Sequence, residues 1–246
     1  HEWSGVVDAV GDGVDESLIG KKCVAENVLA DGGEVGFEHF GGYGEYLINE
    51  ARNVHILPDS FPMHVAALIE PLAVSVRGQH RLGSHVDEPA LVIGDGPIGL
   101  ITCALFTRSG IEVTLLGGRP ERLEVASKMG AARTINYHSF TGDMADEVVA
   151  ITGHKFPTVV ECSGSAKAVD SCFGLAEKQG KVLIIGDYGL AHASFRWNNL
   201  LWQELSLIGS NASAGAWEVA VNLASYKDIS LENLITHRIP AADFEK

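Results

Sequence analysis

The chain has 246 residues, a formal net charge of −14 and a hydrophobic fraction of 46%. This length suits one large domain or two modest ones. A surface this acidic repels phosphate backbones, so we expect no nucleic-acid partner. Glycines and charged residues interrupt every apolar run before ~18 residues, so we expect no membrane span. The four cysteines form no CxxC pair, which favours buried thiols in a reducing, cytoplasmic setting.

Roughly the first 70 residues have the pattern of a β-rich region. A β-branched run bounded by glycines, residues 5–11, predicts a first strand. The glycine-rich stretch 30–42 predicts a loop, and residues 41–48 predict a turn that leads into a strand. Residues 53–59 predict a short strand that ends at a proline.

Strands and helices alternate after Met63. Apolar residues at helical spacing predict a helix over 66–77 that Pro71 interrupts. Strands are then predicted over 90–93, 113–116, 132–135, 158–161, 182–185 and 205–208. The helices predicted between them are 98–106, 120–129, 143–151 and 166–176. Since fully apolar strands between helices indicate a parallel sheet covered on both faces, we predict an α/β fold with a doubly wound Rossmann sheet.

A glycine-rich turn follows the strand predicted over 90–93. The turn matches G-x-G-x-x-G in the context that this motif requires, between a strand and a helix. The first glycine makes the tight turn, the second admits the pyrophosphate to the helix N-terminus, and the third allows close packing. We therefore predict that a dinucleotide binds to Gly94, Gly96, Pro97, Ile98 and Gly99.

The residues at the end of the strand predicted over 113–116 help to distinguish NAD from NADP. An NAD site usually carries Asp or Glu there, but this strand ends in Gly117, Gly118 and Arg119. The glycines leave room, and the planar fork of an arginine suits a phosphate. A cation at a helix N-terminus is unfavourable unless an anion joins it. We predict NADP at Gly117 and Gly118, with Arg119 against the 2′-phosphate. The alternative is NAD, with Arg119 as a solvated charge.

Three further motifs lie in order around this turn. Residues 1–14 have the form H-E-x-x-G-x5-G-x2-V, residues 41–46 read G-G-Y-G-E-Y, and residues 67–73 read A-L-I-E-P-L-A. Together with the glycine-rich turn, they resemble the zinc-containing alcohol and polyol branch, which includes sorbitol and threonine dehydrogenases, of the medium-chain dehydrogenase/reductase superfamily. The resemblance covers essentially the whole chain.

This resemblance implies a zinc-dependent oxidoreductase that transfers a hydride between NAD(P) and a secondary alcohol, polyol or cyclitol. In that family one zinc polarises the substrate oxygen, and its ligands are an upstream Cys, the signature His and one of two glutamates. The signature His corresponds to His1, and the two candidate glutamates correspond to Glu2 and Glu70. We therefore expect the metal to bind among these three residues and the two glutamates to act in catalysis. Imidazole and carboxylate with an open position suit a catalytic zinc.

The resemblance also implies an organisation for the chain. Residues 1–73 correspond to a partial, β-rich GroES-like catalytic domain, 74–226 to the Rossmann domain, and 227–246 to the start of a return segment. We expect the chain to be truncated at both ends, with the Cys ligand upstream of His1. Residues 23–42 hold one Cys where the family carries a structural zinc, so we expect no structural zinc. Pairing through the last strand implies a homodimer or homotetramer.

Three more residues follow predicted strands at the edge where doubly wound sheets bind ligands. They are Cys162, Gly186 and Ser210. By the resemblance we expect all three near the cofactor, with Gly186 and Ser210 close to the nicotinamide.

Two other functions stay open at this point. A zinc-free quinone or enoyl reductase of the same superfamily needs no metal ligands, so His1, Glu2 and Glu70 argue against it. A non-catalytic nucleotide-binding protein is the second alternative. The motifs do not encode the identity of the substrate.

Overall fold

Two β-sheets of unequal size organise the chain. The structure is a computed structural model that describes residues 1–83, 88–226 and 229–244. The strands are β1 (Gly5–Val6), β2 (Lys22–Ala25), β3 (Val54–Ile56), β4 (Ala90–Ile93), β5 (Val113–Gly117), β6 (Arg133–Asn136), β7 (Phe156–Glu161), β8 (Ala176–Ile184) and β9 (Ser206–Gly209). The helices are α1 (Met63–Ala66), α2 (Ile69–Leu82), α3 (Pro97–Arg108), α4 (Pro120–Lys128), α5 (Met144–Thr152), α6 (Ala166–Leu175), α7 (Trp197–Trp202) and α8 (Trp217–Ser225).

The larger sheet has six parallel strands in the order β6-β5-β4-β7-β8-β9. The chain runs outward from β4 to β6, then returns to add β7 on the other side of β4. This reversal creates a crevice beyond the carboxyl ends of β4 and β7, which is where such sheets bind ligands. The predicted doubly wound α/β fold is confirmed.

Burial on both faces explains why the central strands are wholly apolar. Leu91 and Ile93 pack into the core on one face, whereas Val92 of the same strand packs into the core on the other. None of these three side chains is more than 4% exposed. Because neither face meets water, the strand shows an unbroken apolar run rather than alternation.

The smaller sheet is antiparallel, in the order β1-β2-β3. Its central strand is its most buried part, with Cys23, Val24 and Ala25 all in the core. This sheet is the β-rich unit expected near the start of the chain. The first strand is shorter than predicted, since only Gly5 and Val6 pair with β2.

The prediction of a strand within residues 41–48 is wrong. This segment has no strand structure, and Tyr43, Tyr46 and Ile48 are exposed. An extended segment becomes a strand only when its backbone N–H and C=O groups are paired with a neighbour. In the described residues, no strand pairs with this segment.

Helix α2 joins the two halves of the described structure. The predicted helix 66–77 is divided, because α1 ends at Ala66 and α2 begins at Ile69. Pro71 lies in the first turn of α2, where its missing N–H is not needed by the helix. Most residues of α2 are buried, and the helix packs against α3 and α8.

The four cysteines are free thiols, as predicted, with three buried and Cys162 half-buried. In the described ranges, no helix combines the length and the apolar character that crossing a membrane requires.

Candidate active site

The register of the large sheet brings the predicted cofactor residues to one edge. Ile93 pairs with Leu116 and with Glu161, Glu161 pairs with Ile184, and Ile184 pairs with Gly209. The strand ends are therefore level across β5, β4, β7, β8 and β9. Gly117 is the last residue of β5, and the segments that follow the other four strands contain Gly94, Cys162, Gly186 and Ser210.

The glycine-rich turn is shaped by close backbone contacts. Gly94 has φ of +118°, and a Cβ there would lie 3.0 Å from the backbone of both Cys162 and Ser163. A Cβ on Gly99 would overlap the carbonyl oxygen of Gly94. A Cβ on Gly96 would meet no atom within 4 Å. The open space is thus at Gly96, beside the N-terminus of α3, where an anion is favoured.

The two glycines at the tip of β5 do not leave empty space. A Cβ on Gly117 would lie 2.6 Å from the Cβ of Asp95, and one on Gly118 would lie 2.5 Å from the ring of Tyr137. Their lack of side chains admits these two neighbours. Contact of Gly117 and Gly118 with a cofactor stays a prediction.

Asp95, within the glycine-rich turn, is hydrogen-bonded to the tip of β5. Its Oδ2 accepts the backbone N–H groups of Gly118 at 2.9 Å and Arg119 at 2.8 Å. Its Oδ1 accepts Nη2 of Arg119 at 2.6 Å and Nε at 3.1 Å. Desolvation opposes ionisation of Asp95, yet these hydrogen bonds hold its pKa below the usual value. The motif leaves this position unspecified, so the sequence pattern gave no reason to select it.

Glu161, the last residue of β7, is a second carboxylate that the sequence analysis did not select. It is fully buried at 0% exposure. Its carboxylate accepts the backbone N–H of Ser163 at 2.8 Å and that of Gly164 at 3.2 Å, and it also accepts the hydroxyls of Ser163 and Tyr188. Desolvation, together with this acceptor, raises the pKa of the Tyr188 phenol. Glu161 thus ties the turn after β7 to the turn after β8.

Cys162 and Gly186 lie beside this carboxylate. The backbone of Cys162 faces Gly94, whereas its sulfur lies 4.0 Å from Oγ1 of Thr102 on α3. A Cβ on Gly186 would lie 2.6 Å from Oε2 of Glu161. Both residues therefore contribute backbone surface to the edge.

A cavity of about 540 Å³ lies beyond the ends of β8 and β9. Gly186, Ser210, Arg77 and Arg81 line part of it. The buried Oγ of Ser210 has no hydrogen-bond partner among the described residues. A buried hydroxyl without a partner is costly, so this atom is suited to a ligand.

His1, Glu2 and Glu70 converge as the sequence analysis expected. Each offers one ligand atom, and these atoms all lie within 4.8 Å of one another. Glu70 is buried in the first turn of α2, whereas His1 and Glu2 are exposed. Imidazole nitrogen and carboxylate oxygens are zinc donors. A donor set that is exposed at His1 and Glu2 resembles a catalytic zinc site more than a closed structural site.

Neighbouring residues fix this cluster in place. Nδ2 of Asn27 donates to Oε1 of Glu70 at 3.3 Å. The ring of His1 stacks on Phe37, with centroids 5.0 Å apart. Gly36, with φ of +94°, lies so close to His1 that a Cβ would come within 2.5 Å of its backbone nitrogen.

The electrostatics of the cluster favour a cation. Burial, with the carboxylate of Glu2 nearby, raises the pKa of Glu70 to about 7. Desolvation likewise raises the pKa of Glu2. Two carboxylates that repel each other in a partly desolvated space gain stability from a shared positive charge.

Helix α2 connects this cluster with the cavity beyond β8 and β9. Glu70 is in its first turn, and two arginines of its later turns reach the opposite side. Nε of Arg77 donates to the carbonyl of Asn211 at 3.1 Å, and Nε of Arg81 donates to the carbonyl of Gly209. One helix thus carries Glu70 of the cluster and the two arginines that bind the chain after β9.

The structure combines a parallel sheet of this strand order, a glycine-rich turn at its switch point and a cluster of potential metal ligands. This combination is typical of a dinucleotide-binding oxidoreductase. The family model described as zinc-binding dehydrogenase matches residues 97–225, more than half of the chain. The chain belongs to this zinc-binding dehydrogenase family. It is thus an NAD(P)-dependent dehydrogenase, and the predicted family, fold class and kind of enzyme are confirmed.

Curated relatives and a solved structure agree with this assignment. The chain is 31% identical to (R,R)-butanediol dehydrogenase of Neisseria gonorrhoeae, over 97% of this chain and 72% of that protein. It is 25% identical to sorbitol dehydrogenase of Halalkalibacterium halodurans, over 100% of this chain and 77% of that protein. An alcohol dehydrogenase from E. coli CFT073, solved with NADH, superposes with a TM-score of 0.91 at 25% identity, covering 100% of this chain and 77% of that one.

The geometry predicts opposite behaviour for two glycines of the turn. Gly99→Ala should destabilise the protein by at least about 2 kcal/mol, because its methyl group overlaps the Gly94 carbonyl oxygen. Its Tm should fall by about 4 °C or more. Gly96→Ala should keep the wild-type Tm and lose affinity for NAD(P), because its methyl group enters the space that the pyrophosphate needs. Thermal unfolding and calorimetric titration measure the two effects. Equal Tm losses in both variants would contradict this assignment of the open space.

The hydrogen bond between Tyr188 and Glu161 should contribute to stability. Tyr188→Phe removes one donor to a buried carboxylate, which costs about 1.5–3 kcal/mol for a hydrogen bond to a charged group. The expected fall in Tm is about 3 °C or more. Tyr226→Phe, at a residue that is 78% exposed, is the matched control and should change little. Identical unfolding temperatures for the two variants would show that the bond has no such role.

Proposed function

We propose that this enzyme is a zinc-dependent dehydrogenase that oxidises a secondary alcohol, polyol or cyclitol, with NADP as its preferred hydride acceptor. The convergence of His1, Glu2 and Glu70 within 4.8 Å is the observation that carries the proposal. A zinc-free reductase of the same superfamily would have no use for this donor set.

The residues present fit a zinc ion. One imidazole and two carboxylates surround a space that is open on the side of His1 and Glu2. Asn27 adds a second observation, because its Oδ1 is buried without a hydrogen-bond partner among the described residues while its Nδ2 holds Glu70. A bound cation or its water would supply the missing polar neighbour.

His1 would hold the metal through a ring nitrogen, and Glu2 or Glu70 would hold it through a carboxylate oxygen. When bound, zinc supplies a Lewis acid that stabilises the alkoxide form of the substrate. Asn27 fixes the orientation of the Glu70 carboxylate, as residues behind a metal ligand commonly do. A bound nicotinamide would accept the hydride from the alcohol carbon, and the hydroxyl proton would pass to solvent.

The carboxyl edge of the large sheet holds the cofactor. Gly96, Pro97 and Ile98, at the N-terminus of α3, would hold the pyrophosphate. Gly94 and Gly99 build the turn that allows this approach. Gly186, Ser210 and Cys162 border the nicotinamide half, and the unpartnered Oγ of Ser210 is available to its carboxamide.

Arg119 contacts the 2′-phosphate in this proposal, with Gly117 and Gly118 beside it. Its side chain is 53% exposed at the start of α4, within reach of solvent and ligand. The ring of Tyr137 lies next to Gly118, on the same side of the β5 tip.

The domain organisation extends the proposal. Residues 1–73 form the catalytic unit, 74–226 the dinucleotide-binding unit, and 227–246 begin the return segment. The first boundary lies inside α2, so the helix belongs to both units. We also propose one catalytic zinc, no structural zinc, and a homodimer or homotetramer.

Zinc affinity tests the metal site and decides between the two glutamates. Glu70→Gln and Glu2→Gln are loaded with zinc and titrated with a chromophoric chelator. The variant that lacks the ligating glutamate should bind zinc at least about tenfold more weakly than the wild type. Changes to residues that only support a metal ligand already cost about 10–100-fold in affinity. Glu112→Gln, at an exposed position outside the cluster, is the control and should retain wild-type affinity. Wild-type affinity in both cluster variants would refute the site.

Replacing Arg119 tests the cofactor preference. Arg119→Gln should lower kcat/KM for NADP by about tenfold or more and affect NAD much less, because a charge-assisted bond to phosphate contributes about 1.5–3 kcal/mol. Lys128→Gln removes the same charge from the last turn of the same helix and should change neither value. An equal loss for both cofactors in Arg119→Gln would contradict the 2′-phosphate contact.

A further inference from the structure

Asp95 occupies the donors that a 2′-phosphate would use. We propose that Asp95 is a specificity-determining residue for the dinucleotide, which competes with the 2′-phosphate for Arg119 and so limits the preference for NADP over NAD. This inference rests on the proposed contact between Arg119 and the 2′-phosphate.

The first support is the geometry of the arginine fork. Nε and Nη2 of Arg119 both donate to Oδ1 of Asp95, at 3.1 and 2.6 Å. This side of a guanidinium is one that binds carboxylates and phosphates through two parallel hydrogen bonds. A phosphate that takes the fork must therefore displace the carboxylate or share the donors with it.

The second support is the backbone at the same place. The N–H groups of Gly118 and Arg119 point at Oδ2 of Asp95, at 2.9 and 2.8 Å. Two adjacent backbone N–H groups before a helix form an anion site. In this chain the anion comes from the protein itself, and the site is satisfied before any cofactor arrives.

The third support is the close packing of the Asp95 side chain. The side chain of Asp95 is 11% exposed, and Gly117 has no Cβ where Asp95 packs. Asp95 thus has a fixed position rather than a mobile one. Its charge stays near the adenosine ribose, where a usual NAD enzyme places a carboxylate from the strand tip.

The negative charge of Asp95 affects NADP and NAD differently. A 2′-phosphate brings up to two negative charges towards the Asp95 carboxylate, whereas the 2′-hydroxyl of NAD brings none. Asp95 therefore weakens NADP selectively, and Arg119 offsets part of that repulsion. The balance between these two residues sets the ratio of the two affinities.

Asp95→Asn is the informative variant. The amide keeps the size of the side chain, and its oxygen still accepts the backbone N–H groups of Gly118 and Arg119. It loses the charge and releases the fork of Arg119. Asp95→Ser is a second uncharged variant whose hydroxyl can accept the same backbone N–H groups, and it replaces Asp95→Asn if that protein does not fold.

The experiment measures affinities for adenosine 2′,5′-bisphosphate and for AMP by calorimetric titration. These probes differ only in the 2′-phosphate and need neither zinc nor substrate. The proteins are the wild type, Asp95→Asn, Arg119→Gln and the double variant. We expect Asp95→Asn to raise the ratio of bisphosphate affinity to AMP affinity by about tenfold, the value of one charge-assisted contact. In the double variant the gain should be smaller, because the fork that Asp95→Asn releases is then absent and only the loss of the Asp95 charge remains.

Two results would overturn the inference. One is an unchanged ratio in Asp95→Asn, and the other is an equal loss of both probes, which would make Asp95 only a residue that builds the turn. Arg119→Gln separates this failure from a failure of the proposed function. If Arg119→Gln loses the bisphosphate while Asp95→Asn keeps the wild-type ratio, the 2′-phosphate contact stands and only the role of Asp95 falls. If Arg119→Gln binds both probes like the wild type, the contact itself is wrong, and the inference falls with it.

Discussion

Backbone contact at the switch point between β4 and β7 fixes the position of every other group in the cofactor crevice. A Cβ on Gly94 would lie 3.0 Å from the backbone of Cys162 and Ser163, and its φ of +118° is one that residues with side chains rarely adopt. The N–H of Cys162 donates to the carbonyl of Ile93 at 2.8 Å and holds the two strand ends level. From that level edge, α3 begins at Pro97, so that the N-terminus of the helix lies directly after the turn. The remaining cofactor groups follow from the parallel register of the neighbouring strands.

Two buried carboxylates organise the turns at this edge through hydrogen bonds within the protein. Glu161 joins the turns after β7 and β8, and Asp95 joins the turn after β4 to the tip of β5. Both accept several hydrogen bonds, which makes their burial tolerable. The arrangement makes the crevice pre-organised, so that binding a dinucleotide does not require these turns to be ordered first. Helix α2 extends the same rigidity to the metal-type cluster, because Glu70 and the arginines that bind the β9 edge lie on one element.

The sequence predicted the parts of this structure whose pattern reflects a single local cause. The strand β4 was predictable because burial on both faces leaves only apolar residues, and the glycine-rich turn because its backbone must approach other backbone. Residues 41–48 were predicted wrongly because alternation does not reveal whether a strand has a partner. The polar first half of β8 and the short helix α7 were missed because neither has a long apolar period. His1, Glu2 and Glu70 were selected through ordered motifs, although 68 positions separate Glu2 from Glu70 in the chain. Asp95 and Glu161 could not be selected, because their partners Arg119 and Tyr188 are identified only by the folded chain.

The proposed function requires a dinucleotide at the end of β4 and a zinc ion at the cluster of His1, Glu2 and Glu70. A crystal structure of the protein grown with zinc and NADP tests it most directly, because anomalous scattering locates the metal without assumption. We expect a zinc peak bound by His1 and by Glu2 or Glu70, and a pyrophosphate at Gly96, Pro97 and Ile98, where the backbone N–H groups of Gly96 and Ile98 can donate to it. A pyrophosphate bound away from the turn, or a zinc ion bound at other residues while the cluster stays empty, would contradict it.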